Sequence, residues 1–275
     1  MNEKWVKKSH GELVKFESEK LRRSLFRSGA NDELITQIIQ EVLAATEDVT
    51  TTKKIYHKAY AILKRSSNKL AGKYRLKNAI LQLGPSGYPL EHYVGHLIAY
   101  QGFERQVGIM MEGKCLTHEV DVYGIKEDRE VVIECKHHSQ PGYKSDVKVA
   151  MYVHSRYRDI IHGESFLARK DNFKCIIATN TRFTSDAIKY AECYGIGLIS
   201  WDYPNRGCLR ERIEISGLYP ITCLYSLTKN EKQRLLKAHT VLCKQLLDQP
   251  ELLNEIDQRK HKKIIAECQA LLTED

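Results

Sequence analysis

The sequence lacks the features that would place it in a membrane or in an oxidising compartment. No apolar run in its 275 residues approaches the roughly 20 residues of a membrane span, and the N-terminus has no apolar segment typical of a signal peptide. Its eight cysteines include no CxxC pair, which argues against a zinc ribbon and a disulfide framework. We therefore expect a cytoplasmic protein that contacts no membrane, with Cys135, Cys175 and Cys193 as reduced core residues.

Positive charge is present in excess. The chain has 43 lysines and arginines against 35 aspartates and glutamates, a formal net charge of +8 at pH 7. Such an excess favours polyanionic partners such as DNA, although a mildly basic globular protein has the same composition. The length suggests about two domains with sizeable cores.

Two predicted strands near the middle of the chain, residues 118–122 and 131–136, end in charged residues and flank a polar turn. A hairpin centred in that turn places Asp121 directly opposite Glu134. Because side chains alternate along a strand, Glu134 and Lys136 share one face. Like charges opposite each other are destabilising, so these residues and the carbonyl of Cys135 predict a site for a hard metal ion.

Asp121, followed by Glu134-Cys135-Lys136 after an apolar run, resembles the D…ExK core of the PD-(D/E)XK nuclease superfamily. The strand–helix–strand pattern over residues 176–201 resembles its Mrr-type restriction endonuclease branch. The resemblance implies a metal-dependent deoxyribonuclease in which Asp121, Glu134 and the Cys135 carbonyl hold Mg²⁺ or Mn²⁺. Lys136 would position or deprotonate the attacking water. Glu91, on the helix before the first core strand, would complete the metal site, although a glutamate is also favoured there by the helix dipole.

Other interpretations of these residues remain open. Lys136 could neutralise Asp121 and Glu134 in a purely structural ion-pair network that needs no metal. His118, His137 and His138 lie near the same strands, but their spacing is not a known zinc pattern.

The first 83 residues predict a β-hairpin with a turn at Ser9-His10-Gly11, followed by four helices. This order resembles the ATP-cone, a regulatory nucleotide-binding domain, although Ser9-His10 replaces its usual Arg-Asp pair. The resemblance implies that ATP or dATP binds here as an allosteric effector. The alternative is a small helical domain whose lysines are solvated surface charges. The implied nucleotide-binding residues are Val6 and Thr52, which would line the pocket, and Lys7, Lys8 and Lys20, of which Lys8 and Lys20 would meet phosphates.

The glycines and prolines of residues 84–89 mark a domain boundary. We predict an α/β protein in three parts: an ATP-cone over 1–83, a nuclease domain with a mixed β-sheet flanked by helices over 84–217, and a small α-helical domain over 218–275. The last part, with helices over 231–247 and 252–272, would bind DNA, pack on the nuclease core or contact a second subunit.

The predicted helix over 145–161 combines an apolar and a basic face. Its inward residues would include Val147, Ala150, Met151, His154 and Ile161. Its basic residues, suited to phosphate contacts or simply solvated, are Lys144, Lys148, Arg156 and Arg158.

These features together predict a DNA endonuclease controlled by ATP or dATP and suited to defence against foreign DNA. We expect a homo-oligomer, a dimer or a tetramer, because one site cuts one strand at a time. No P-loop is present, so ATP would not serve as fuel. The alternative is a non-catalytic, nucleotide-responsive DNA-binding regulator built on a nuclease-like fold.

Overall fold

A computed structural model describes residues 4–8, 11–84, 86–163 and 172–273. The predicted turn residues Ser9 and His10, and Pro85 of the boundary segment, lie outside these residues. The fold is α/β, as predicted, and its described part contains sheets of three, five and two strands together with helices.

The N-terminal part combines a small sheet with four helices. Strands β1 (Trp5–Lys7) and β2 (Leu13–Lys15) form the predicted hairpin, and β3 (Val49–Thr51) pairs in parallel with the other edge of β1. The helices are α1 (Ser18–Arg27), α2 (Asp32–Ala44), α3 (Thr52–Ser66) and α4 (Asn68–Leu81). Strand β3 is not predicted, because a three-residue strand is too short to show alternation.

Side chains before three of these helices fix where they begin. Asn31, Thr51 and Ser67 each accept a hydrogen bond from a backbone N–H in the first turn of the helix that follows. The helices bury apolar residues at helical spacing in one cluster, which includes Leu25, Ile35, Ile38, Val42 and Leu63.

The five-stranded sheet forms the centre of the molecule, in the order β10-β8-β6-β5-β4. Strands β4, β5 and β6 are antiparallel neighbours, whereas β8 and β10 run parallel to β6 and to each other. The predicted mixed sheet is therefore confirmed. The elements are α5 (Tyr88–Tyr100), β4 (Glu104–Glu112), β5 (Thr117–Lys126), β6 (Arg129–Lys136), β7 (Lys144–Ser145), α6 (Val147–Ile161), β8 (Phe173–Thr179), β9 (Arg182–Phe183), α7 (Ser185–Tyr194) and β10 (Gly197–Ile199).

The sheet is covered on both faces. Val131 and Ile133 of β6 pack in the same apolar cluster as Leu97 of α5. Val132, between them in sequence, packs with Val153 of α6 on the other face. Alternation along β6 therefore places α5 and α6 on opposite sides of the strand that carries Glu134 and Lys136.

Helix α6 is rotated relative to the prediction. Its buried residues are Ala150, Val153 and Ile160, whereas Met151 is 50% exposed. The expectation that Met151 faces the core is wrong. The apolar residues that pack inward are Ala150, then Val153 three positions later and Ile160 seven positions after that, so they lie on a different face of the helix from Met151. Cys193 is likewise exposed rather than buried, since it lies on the outer side of the last turn of α7.

The C-terminal part contains shorter helices than predicted. It follows α8 (Leu209–Ser216) and comprises α9 (Lys229–Lys237), α10 (Cys243–Asp248), α11 (Gln258–Leu272) and two 3₁₀ turns, Ile221–Cys223 and Pro250–Leu253. The predicted helix over 231–247 is interrupted at His239, whose φ is +59°. The helix predicted from 252 begins only at 258, where the Asp257 side chain caps it.

This C-terminal part packs on the core. One apolar cluster joins the end of α4, helix α5, the sheet and the C-terminal helices. Tyr93 Oη of α5 donates a hydrogen bond to the Leu218 carbonyl at 2.7 Å, and Thr222 Oγ1 donates to the Ala79 carbonyl at 2.8 Å. Of the three alternatives for this segment, the structure shows packing against the central sheet and the helices α4 and α5. In the described part of the chain, no helix is long and apolar enough to cross a membrane.

Candidate active site

The strands β5 and β6 separate where their acidic residues lie. Their ladder ends at Val122 and Ile133, which confirms the predicted register up to one residue before Asp121 and Glu134. At that point Asp121 accepts a hydrogen bond from the backbone N–H of Cys135 at 2.6 Å. Burial, and next the charge of Glu134, raise the pKa of Asp121 to about 6, although this hydrogen bond opposes the shift.

A local irregularity in β5 accompanies this separation. Val120 and Val122 are two residues apart, yet they pack in the apolar clusters on opposite sides of the sheet. On the neighbouring strand Gly108, between the residues paired with Val120 and Val122, has a φ of +66°. Glycine adopts this conformation at little cost, so it permits the interruption at Asp121. A glycine inside a predicted strand is the sequence signal for such an interruption.

Glu134 is the most enclosed carboxylate of the site, with 9% of its surface exposed. One of its oxygens pairs with Lys136 Nζ at 2.5 Å, which confirms that the two side chains share a face. Its other oxygen accepts a hydrogen bond from Arg156 Nη1 of α6 at 2.7 Å. Arg156 also donates to the carbonyl of Glu119. Arg156 therefore faces Glu134 rather than solvent, and its contact with phosphates stays a prediction.

Glu91 belongs to the same electrostatic cluster. It lies in the first turn of α5, as predicted. Burial, followed by the charge of Asp121, raises its pKa to about 7. Glu119 and Glu134 add to this increase, whereas Lys136 opposes it. The sequence-predicted residues Asp121, Glu134, Lys136 and Glu91 thus lie close enough to affect one another's ionisation.

These residues fit a hard metal ion by their chemistry. Carboxylates and a strand carbonyl are the oxygen ligands that Mg²⁺ and Mn²⁺ prefer. Burial is the largest cause of the raised pKa values of Asp121 and Glu91, and the charges of neighbouring carboxylates add to both shifts. A cation would offset that added repulsion. Among the residues that the structure describes, no three histidine, cysteine, aspartate or glutamate side chains already form a group that could hold a metal ion. Both oxygens of Glu134 have protein partners, so its coordination of a metal remains a prediction.

Two of the three nearby histidines have separate side-chain partners. His118 Nε2 lies 2.8 Å from Asp159 Oδ2, and His138 Nε2 lies 3.1 Å from Ser145 Oγ. His137 Nε2 is buried without a hydrogen-bond partner among the described residues. The zinc interpretation gains nothing from this arrangement.

Asn180 is a site residue that sequence reasoning misses. Its side chain accepts a hydrogen bond from the N–H of His138 and donates one to the His138 carbonyl, both at 2.8 Å. Thr179 Oγ1 donates to the Lys136 carbonyl at 2.8 Å. These contacts fix the backbone directly after Lys136. The available signal is the polar segment Thr179-Asn180-Thr181 at the end of an apolar strand.

The residues predicted to bind a nucleotide gather partly around the small N-terminal sheet. The parallel pairing of β1 with β3 places Lys7 beside Thr51, so the first turn of α3, with exposed Thr52, adjoins the end of β1. Val6 is 7% exposed and packs in the N-terminal core. Its neighbour on β3 is Thr50.

The two lysines predicted to meet phosphates have acidic partners. Lys8 Nζ pairs with Glu12 at 2.7 Å, and Lys20 Nζ of α1 pairs with Glu17 at 2.7 Å. Both pairs are largely exposed, so they add little to stability. Nucleotide binding at these residues stays a prediction.

Comparisons with known proteins establish the family. The family model described as AF1548-like, C-terminal, matches residues 219–272. An uncharacterized protein of Archaeoglobus fulgidus is 33% identical over 183 residues, which are 65% of this chain and 99% of the relative. This chain belongs to the AF1548-like family. About a third of the chain lies outside the length that this relative matches.

The crystal structure of AF1548 agrees with this family and names no activity for it. The crystal structure of AF1548, a protein of unknown function, is 32% identical, with a TM-score of 0.57 over 68% of this chain and 98% of AF1548. Can2 from Sulfobacillus thermosulfidooxidans, solved in complex with cyclic tetra-adenylate, is 19% identical. The match covers 47% of this chain and 35% of Can2 with a TM-score of 0.34.

Proposed function

We propose that this AF1548-like protein is a metal-dependent DNA endonuclease of the PD-(D/E)XK type. The observation that carries the proposal is the junction of β5 and β6, where Asp121, Glu134 and Lys136 converge and Glu91 joins them from α5. A strand pair gains no stability from crowding carboxylates. Their presence is explained by a function that uses their charge.

Asp121, Glu91, Glu134 and the Cys135 carbonyl are the groups that would hold Mg²⁺ or Mn²⁺. Such an ion, when bound, polarises a phosphate and lowers the pKa of coordinated water. The chain supplies the ammonium group of Lys136, which is 34% exposed while its partner Glu134 is 9% exposed. Lys136 can therefore face a substrate and still be oriented by Glu134, as a group that positions water or offsets developing charge must be.

Arg156 holds Glu134 in place from α6. A bond from a helix on one side of the sheet to the catalytic strand fixes the carboxylate before substrate arrives, which lowers the cost of organising the site. Arg156 is a positioning residue in this proposal.

The second candidate function is a non-catalytic, nucleotide-responsive DNA-binding regulator. The engagement of both Glu134 oxygens by Lys136 and Arg156 favours it. In that case the charged cluster is an ion-pair network and the fold binds DNA without cutting it.

We also propose that ATP or dATP bound by the N-terminal part controls the enzyme. The support is the sheet that joins Lys7 to Thr51, together with the packing of α4 against the C-terminal helices. Isothermal titration with ATP and dATP tests this directly, and the absence of heat with either nucleotide would contradict it.

Supercoiled plasmid nicking separates the candidate functions. Wild type is incubated with Mg²⁺, with Mn²⁺ or with EDTA, each with and without ATP or dATP. The endonuclease proposal predicts that wild type makes metal-dependent nicks. Asp121→Asn should abolish this activity, whereas Asp128→Asn, in the exposed turn between β5 and β6, should leave it unchanged. DNA binding without nicks under every condition would favour the regulator.

A further inference from the structure

Two exposed tyrosines pack on residues that adjoin the Glu134–Lys136 pair, Tyr152 on Arg156 and Tyr143 on His138. Tyr152 on α6 is 61% exposed, and its ring centroid lies 5.6 Å from the guanidinium carbon of Arg156. Arg156 in turn donates to Glu134 at 2.7 Å. One face of Tyr152 therefore contacts the arginine that holds the candidate catalytic carboxylate.

Tyr143 lies in the loop after β6 and is 60% exposed. Its ring stacks on His138, with centroids 5.3 Å apart and planes inclined by 26°. His138 is fixed by Ser145 and Asn180, both 1% exposed. Tyr143 thus stacks on a fixed side chain, His138, which lies two residues after Lys136 in the sequence.

Cations accompany the two rings. Lys148 precedes Tyr152 by four residues, so the two side chains share one face of α6. Lys148 and Lys144, the neighbour of Tyr143, are exposed. Met151, also 50% exposed, extends the apolar part of this surface. Flat rings among ammonium groups match a strand that offers bases and phosphates together.

A double helix uses this surface poorly, because its bases are stacked on one another and their faces are hidden. An unpaired strand exposes those faces, and aromatic side chains that stack on bases are the usual means of holding it. Tyr152 contacts the arginine that binds Glu134, and Tyr143 contacts the histidine two residues after Lys136. These positions favour the substrate over a distant partner.

We propose that Tyr143 and Tyr152 form a base-stacking platform that delivers single-stranded DNA to Lys136. The proposal rests on the proposed nuclease function and specifies its substrate: an unpaired strand, bound by its bases as well as by its phosphates.

The test measures binding of a fluorescent single-stranded DNA of mixed sequence by anisotropy in EDTA, so that no cutting occurs. The same strand as a duplex, and an abasic strand of equal length, serve as comparison ligands. We expect Tyr152→Leu and Tyr143→Leu each to weaken single-strand binding by about five- to a hundredfold, the usual range for the loss of one base stack. Leucine retains an apolar cover over Arg156 and His138 but has no flat ring.

Matched controls identify the cause. Tyr152→Phe retains the ring and should bind like wild type, as should Phe26→Ala, which removes a 67% exposed ring on α1. The abasic strand should bind more weakly than the normal strand, and the leucine variants should reduce that difference. Equal single-strand affinity for wild type and both leucine variants would overturn the platform. That result is also the one expected if this surface binds another protein instead of DNA.

Failure of the platform and failure of the nuclease proposal give different results. If the protein nicks DNA in the presence of metal but the leucine variants bind the single strand like wild type, the nuclease proposal stands and the platform is overturned. Tyrosine-dependent binding without cleavage of either the single strand or the plasmid, under any metal condition, would retain the platform as a DNA-binding surface and overturn the nuclease.

Discussion

Arg156 on α6 donates a hydrogen bond to Glu134 on β6 at 2.7 Å, with 17% and 9% of the two side chains exposed. The contact joins a surface helix to the strand that carries the candidate catalytic residues. It compensates a carboxylate that burial would otherwise disfavour.

Removal of this guanidinium group should destabilise the protein. Arg156→Ala leaves Glu134 with Lys136 as its remaining partner, so we expect the free energy of unfolding to fall by about 1–3 kcal/mol in urea denaturation. Arg158→Ala, at an exposed position on the same helix, should change it by less than about 0.5 kcal/mol. Equal effects of the two substitutions would show that the Arg156–Glu134 contact contributes no stability.

Asp121 should carry a stability cost that is explained by function. Burial and the charge of Glu134 disfavour its ionised form, which raises its pKa to about 6. Asp121→Asn removes that charge, and the amide oxygen can still accept the Cys135 N–H. At pH 7 without metal, we expect the free energy of unfolding of the variant to be about 1–2 kcal/mol greater than that of wild type. A variant less stable than wild type would contradict this account of the site.

His96 should make the protein sensitive to acid. Burial, and next the charge of Arg105, lower its pKa to about 4. The unfolded chain therefore binds a proton near pH 6.5 that the folded chain resists, so stability falls as the pH decreases from about 6.5 towards 4. After allowance for solvent screening we expect a loss of about 1 kcal/mol from this residue. His96→Gln should reduce the decline in urea midpoint over that range, and an identical decline in both proteins would refute the assignment.

The orientation of α6 can be tested by two truncations. Val153 is 4% exposed and lies in the core under the sheet, whereas Met151 is 50% exposed. Val153→Ala should lower the free energy of unfolding by about 1–3 kcal/mol through lost burial and a small cavity. Met151→Ala should cost less than about 0.5 kcal/mol. The reverse order would restore the helix orientation predicted from the sequence.

The sequence predicts those features that depend on neighbours along the chain. The register of β5 with β6 follows from the polar turn between two apolar runs, and strand alternation places Lys136 beside Glu134. The position of Glu91 follows from its helix start. Contacts between distant segments are different. Nothing in the spacing identifies Arg156 as the partner of Glu134, because any of the four basic residues on or near α6 could form that contact.

Local conformations without a strong signal are also missed. Helix α9 ends at Lys237, and His239, with a positive φ, stands where most helix ends have a glycine or proline. The interruption at Asp121 is signalled only by Gly108 on the adjacent strand. Strand β3 forms because β1 offers an open edge, a tertiary effect that three residues do not encode.

The rate of plasmid nicking by Lys136→Ala, relative to the matched variant Lys174→Ala, tests the central claim most directly. Lys174 is an exposed lysine on β8, paired with Val131 towards the opposite end of β6. The account predicts that in saturating Mg²⁺ the Lys136 variant loses at least about a hundredfold in rate. The Lys174 variant should cut like wild type. Equal rates for wild type and Lys136→Ala would contradict the assignment of this site as a nuclease.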